Sequence, residues 1–139
     1  MKSILYHYTC PYLLPAILKA GYLTLTESNF SFEKAGMFPV VWLTSSPSPE
    51  NMGLLFDSNM PDDFNKTHIR FTIQIKPYMK QWDEWCDSKG IDLQQKQAII
   101  SSASAEDTYE SWFVSEQIIP INDVLAIENI ATDELLYSK

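Results

Sequence analysis

Between His68 and Ile75 apolar and polar residues alternate, with Ile69, Phe71, Ile73 and Ile75 on one side and His68, Arg70, Thr72 and Gln74 on the other. A period of two predicts a strand with one buried face. Val40 to Thr44 is nearly continuous in apolar residues and reads as a strand from the middle of a core. Ser3 to Tyr8 is β-rich and predicts a first strand, and Tyr22 to Thr26 a short extended segment. Between these two, Leu14 to Ala20 reads as a helix. Pro15 stands in its first turn, where a missing N–H does no harm, and Gly21 follows at its C-terminal cap. From Pro77 the pattern changes to helical spacing: Tyr78, Met79, Trp82, Trp85 and Cys86 form a stripe that ends near Lys89 and Gly90. Trp82 of that stripe is expected to be buried together with Phe71, Ile73 and Ile75. Asp92, with Gln95 three residues on, has the form of a capping box ahead of a second helix that carries Leu93, Ala98, Ile99, Ile100 and Ala103. Glu110 to Ser115 and Val124 to Ile130 read as two further strands. Residues 27–39 read as a loop. Residues 45–66, broken by Pro47, Pro49 and Pro61, are expected to form an irregular connection whose apolar middle, Met52 to Phe56, docks back on the body. Strand, helix, strands, a helical pair and strands in that order make an α+β fold rather than a regular βαβ alternation.

At 139 residues the chain is expected to be a single domain spanning 1–139. Eighteen acidic residues against ten basic ones give a formal charge of −8, which argues against non-specific binding to nucleic acid or to an anionic membrane surface. Apolar runs reach only about four to five residues, far short of the roughly 20 that span a bilayer, and no signal-peptide pattern opens the chain. Cys10 and Cys86 are far apart and fall in no CxxC motif, which fits a reducing, cytoplasmic setting. No ligand spacing points to a metal.

No phosphate-cradling glycine loop, GxGxxG, HExxH or GxSxG motif is present. The residues that could carry chemistry are scattered singly. His7 lies within the first strand. Arg70 is the chain's only arginine, on the polar face of a strand, where its planar fork suits a bidentate task such as phosphate binding or else simply faces solvent. Glu110 stands just before the apolar run Trp112-Phe113-Val114, either as a polarised catalytic group or as a residue at a strand end.

Three of these places fall in a familiar order. Leu5-Tyr6-His7-Tyr8-Thr9 followed by Leu14-Pro15-Ala16-Ile17-Leu18-Lys19-Ala20-Gly21-Tyr22-Leu23 resembles the opening of ADP-ribosyltransferase-like domains, in particular the DarT-like and related small bacterial transferases. Val40 to Pro47 is similar to that family's second strand, and Glu110-Ser111-Trp112-Phe113-Val114 with Ile118 to Ile130 to its closing pattern. The resemblance implies a split, twisted, mostly antiparallel β core with flanking helices that grips NAD, as substrate, in a cleft. It implies that His7 bonds the nicotinamide ribose and that Trp42 stands where an aromatic stacks on nicotinamide. Thr9, Ser45 and Arg70 would also contact NAD, and Glu110 would stabilise the developing oxocarbenium ion, with no metal. The sequence departs from the family at its glutamate, which stands at Glu110 where the family's place falls on Ser111, and at Trp42, where Tyr is commoner. Glu116 is a second candidate carboxylate.

The expected activity is therefore NAD-dependent transfer of ADP-ribose to a macromolecular acceptor, a protein side chain or a nucleic-acid base. An acidic interaction or inhibitor protein on the same scaffold, without catalysis, is the alternative.

Overall fold

The computed structural model describes residues 4–24, 40–47, 61, 67–102 and 109–139. Nine strands and three α-helices are present among them. The strands are β1 (Ile4–Thr9), β2 (Tyr22–Leu23), β3 (Val41–Thr44), β4 (Ile69–Gln74), β5 (Met79–Gln81), β6 (Trp112–Ser115), β7 (Ile119–Pro120), β8 (Val124–Asn129) and β9 (Glu134–Ser138). The helices are α1 (Leu14–Ala20), α2 (Trp82–Ser88) and α3 (Leu93–Ser102). Seven strands form one sheet in the order β5-β6-β3-β1-β4-β8-β9, every pair antiparallel, and β2 pairs with β7 in a small second sheet. The fold is thus α+β, with a mostly antiparallel sheet and a few helices. None of the described helices is long and apolar enough to cross a membrane.

The local signals act where the sequence placed them. Gly21 closes α1 at φ 85°, and its N–H bonds the Ile17 carbonyl at 2.9 Å. A Cβ there would touch nothing within 4 Å, so Gly21→Ala is expected to cost only the left-handed backbone strain, about 1 kcal/mol in urea unfolding. The capping box of α3 is formed in both directions: the Gln95 N–H donates to Asp92 Oδ1 at 2.8 Å and the Asp92 N–H to Gln95 Oε1 at 3.2 Å. Apart from Pro47 and Pro61, the expected 45–66 connection lies outside the described residues after Ser46, as does the loop over 27–39.

The expected helix from Pro77 is corrected. Met79–Gln81 is an edge strand on β6, and the helix begins only at Trp82, with Gln81 Oε1 accepting from the Glu84 N–H at its N-terminus. Pairing with β6 satisfies a row of backbone groups that one further helical turn would have left at the sheet edge. The shared core is corrected too. Phe71, Ile73 and Met79 sit on one face of the sheet with Leu5, Val41, Leu43 and Ile127, partly covered by Leu14 and Ile17 of α1. Trp82, Trp85 and Cys86 sit on the other face with Val40, Trp112 and Val114. Alternation within Val41–Thr44 and Trp112–Ser115 sends neighbouring side chains to opposite sides, so one sheet separates two cores.

Strand pairing is uneven along the sheet. β1 and β4 are in register over their whole length, from Ile4↔Gln74 to Thr9↔Ile69, and β3 and β6 over Val41↔Ser115 to Thr44↔Trp112. Between β1 and β3 only Tyr6↔Thr44 is bridged. The sheet is two well-paired halves joined by a single bridged backbone pair.

Candidate functional site

His7 stands beside that junction. Its Nδ1 lies 2.8 Å from the Trp42 carbonyl oxygen, where a full ladder would place a backbone N–H. A carbonyl only accepts, so Nδ1 carries the proton. Burial pushes the imidazole pKa below its ordinary value of 6.5, against the opposing pull of the Trp42 carbonyl, so His7 is neutral at pH 7 and Nε2 keeps its lone pair. The ring also packs edge-on to Phe71, with centroids 6.0 Å apart. Because the folded pKa lies below the unfolded one, the unfolded chain binds the proton first. Stability is expected to fall as pH drops through 6.5 and on to the lower folded value. Urea unfolding of wild type and His7→Gln between about pH 8 and pH 5 checks this; parallel curves would assign the pH dependence elsewhere.

Trp42 meets His7 only through its backbone. Its indole lies on the other face, edge-on to Trp112 at 6.3 Å, and Trp112 in turn packs on Trp82 at 5.1 Å. Thr9 is buried at the end of β1 opposite Ile69. Glu110 is not on the strand expected from the sequence. It is exposed, in a 3₁₀ turn (Tyr109–Ser111) that leads into β6. That turn is docked to the end of β3: the Ser45 N–H donates to the Ser111 carbonyl at 2.9 Å, and the Thr44 hydroxyl lies 3.4 Å from the Ser111 hydroxyl. Glu110 and Ser45 therefore come to the same end of the sheet. His7 is two strands away and further along, on the side of Phe71.

Glu116 is engaged elsewhere. Its carboxylate accepts from Trp85 Nε1 at 3.2 Å and pairs with Lys89 at 2.9 Å, tying α2 to the far end of β6. Among the described residues, Glu110 is the one of the two without such a partner. Lys96 is held between Asp83 and Asp87, which raise its pKa and fasten α3 to α2.

Arg70 lies on the face opposite His7. Nη2 pairs with Glu128 at 3.0 Å, Nη1 donates to the Pro47 carbonyl at 2.8 Å, and the guanidinium sits 5.4 Å over the Tyr6 ring. The Tyr8 hydroxyl reaches the Ser46 carbonyl at 3.4 Å, and burial pushes its pKa up to about 12, so it stays a donor. Tyr8 and Glu128 are partners that the sequence reading missed. Glu128 was open to inference, since a lone arginine on a half-buried face calls for a carboxylate, but the strand register that supplies it was not.

Cys10 and Cys86 are both buried free thiols, and burial pushes Cys86 up to about 12. Among the described residues no group of three or more His, Cys, Asp or Glu side chains is placed to hold a metal ion. Compared with protein-family models, with curated proteins and with solved structures, the chain matches none.

Proposed function

We propose that the chain uses NAD as a substrate and transfers its ADP-ribose part to a macromolecular acceptor, a protein side chain or a nucleic-acid base. The observation that carries this reading is the neutral His7 at the junction of the two half-sheets, with Nδ1–H committed to Trp42 and the Nε2 lone pair without a partner among the described residues. A ribose hydroxyl is a donor that such a nitrogen accepts. In the reaction the bond from nicotinamide to the ribose anomeric carbon breaks and nicotinamide leaves. The acceptor nucleophile forms the new bond at that carbon and gives up its proton. Positive charge gathers on the ribose in the transition state, and a nearby carboxylate stabilises it. Glu110 takes that part, with Ser45 at the same end of the sheet and Thr9, beyond His7 at the opposite end of β1, as further contacts to the dinucleotide.

Titration calorimetry with NAD tests the reading. Wild type is expected to bind, and His7→Ala to bind about tenfold or more weakly, the usual scale for one lost hydrogen bond in a buried site. A second reading, an acidic interaction protein without catalysis, is favoured by one observation: the Trp42 indole is packed on Trp112, away from the side on which His7 stands. No heat of binding, and no rise in melting temperature with excess NAD, would leave that second reading standing.

A further inference from the structure

We infer that Arg70 is a positioning residue, which straps the segment after β3 across β1 and fixes where Ser45 stands. After Thr44 the chain runs past the end of β3, an interior strand, and its Ser46 and Pro47 carbonyls meet the side chains of Tyr8 on β1 and Arg70 on β4. Three side-chain bonds hold it there. Arg70 Nη1 donates to the Pro47 carbonyl at 2.8 Å, the Tyr8 hydroxyl donates to the Ser46 carbonyl at 3.4 Å, and the Thr44 hydroxyl accepts from the Ser46 N–H at 3.1 Å. Glu128 on β8 holds the other arm of the guanidinium at 3.0 Å, and Tyr6 lies under its plane. The fork thus links β8 and β4, through β1, to the strap.

The same geometry argues against a direct role in binding a pyrophosphate. Glu128 already compensates the charge, and Nη1 and Nη2 each have a protein acceptor. Nε is buried and has no partner among the described residues, so it is not presented to an anion in solution. A ligand would have to displace Glu128 and Pro47 before it could use the guanidinium. The bearing of the strap on NAD rests on the function proposed above; the strap itself does not.

Two roles for Arg70 predict opposite results for Glu128→Gln. If Glu128 tensions a strap, removing its charge loosens the strap and weakens NAD binding. If Arg70 is an anion ligand, removing its competitor strengthens the binding of NAD and of ADP. Amide hydrogen exchange by NMR reads the strap directly, at the Ser46 N–H. Both Glu128→Gln and Arg70→Lys, which keeps the charge but loses the fork, are expected to raise exchange there by about tenfold or more while the β4 amides stay protected. Calorimetry with NAD and with ADP supplies the second readout. Raised Ser46 exchange in both variants supports the strap, whether or not NAD binds; raised exchange with no NAD binding even to wild type keeps the strap and removes the NAD reading. Unchanged exchange at Ser46, or tighter ADP binding in Glu128→Gln, overturns the inference.

Discussion

Replacing Phe71 with alanine is expected to lower the free energy of unfolding by about 3–5 kcal/mol. Phe71 is fully buried in the middle of β4, the strand flanked by β1 and β8, and faces Ile127 and His7 in register. Truncation removes the ring and leaves a void bounded by Leu5, Ile73 and Ile127, which the paired strands on either side hold open. It also removes the edge contact that orients the His7 imidazole, so NAD affinity is expected to fall alongside stability. Urea denaturation measures the first effect. A loss under about 1 kcal/mol would mean that the two faces of β4 are assigned the wrong way round.

Glu110→Gln is expected to lower the rate of nicotinamide release from NAD by at least about 100-fold while leaving the melting temperature and most of the NAD affinity in place. The separation of effects follows from where the residue stands. Glu110 is exposed in a turn outside both cores, so an isosteric amide disturbs no packing. In the reaction proposed above its charge would act mainly when the ribose becomes cationic, and so would appear in turnover rather than in ground-state binding. Glu116→Gln is the contrasting substitution. Its carboxylate holds Trp85 and Lys89, and its loss is expected to affect the docking of α2 and to leave turnover unchanged. The reverse pattern, with turnover lost in Glu116→Gln and kept in Glu110→Gln, would assign the proposed catalytic role to Glu116 instead.

Much of the fold was legible because it is locally encoded. The limits of α1, with Pro15 inside its start and Gly21 past its end, and the reciprocal bonds of Asp92 and Gln95 depend on residues a few positions apart. The strand at Ile69–Gln74 was legible because one of its faces is buried and the other half-buried. β9 was not, because it is an edge strand with little burial and no alternation to read. A signal for it did exist: Asn129 Oδ1 accepts from the Ala131 and Thr132 N–H groups, and Asp133 takes a φ of 60°, the marks of a tight turn after β8. The helical spacing from Tyr78 to Cys86 misled for a physical reason. Met79 and Trp82 both bury their side chains, but in different cores, and a hydrophobic pattern does not distinguish two faces of a sheet from one face of a helix.

For the site, the sequence pointed to individual residues and not to their meeting. That His7 lies on the first strand could be read. That its ring bonds a carbonyl 35 residues away depends on β1 and β3 sharing a single bridged pair, and register across that distance leaves no trace in periodicity. The sequence left Arg70 open between a geometric task and a solvent-facing place; its partners, Glu128 and Pro47, are each brought in by tertiary pairing.

The most direct measurement of the central claim is to incubate the protein with NAD labelled in its adenosine half, together with mixed protein and single-stranded nucleic-acid acceptors, and to follow free nicotinamide and acceptor-bound label over time. Nicotinamide released in step with label appearing on a macromolecule, with both lost in Glu110→Gln, is the predicted result. NAD that remains intact, at protein concentrations where calorimetry has been used to look for its binding, would contradict it.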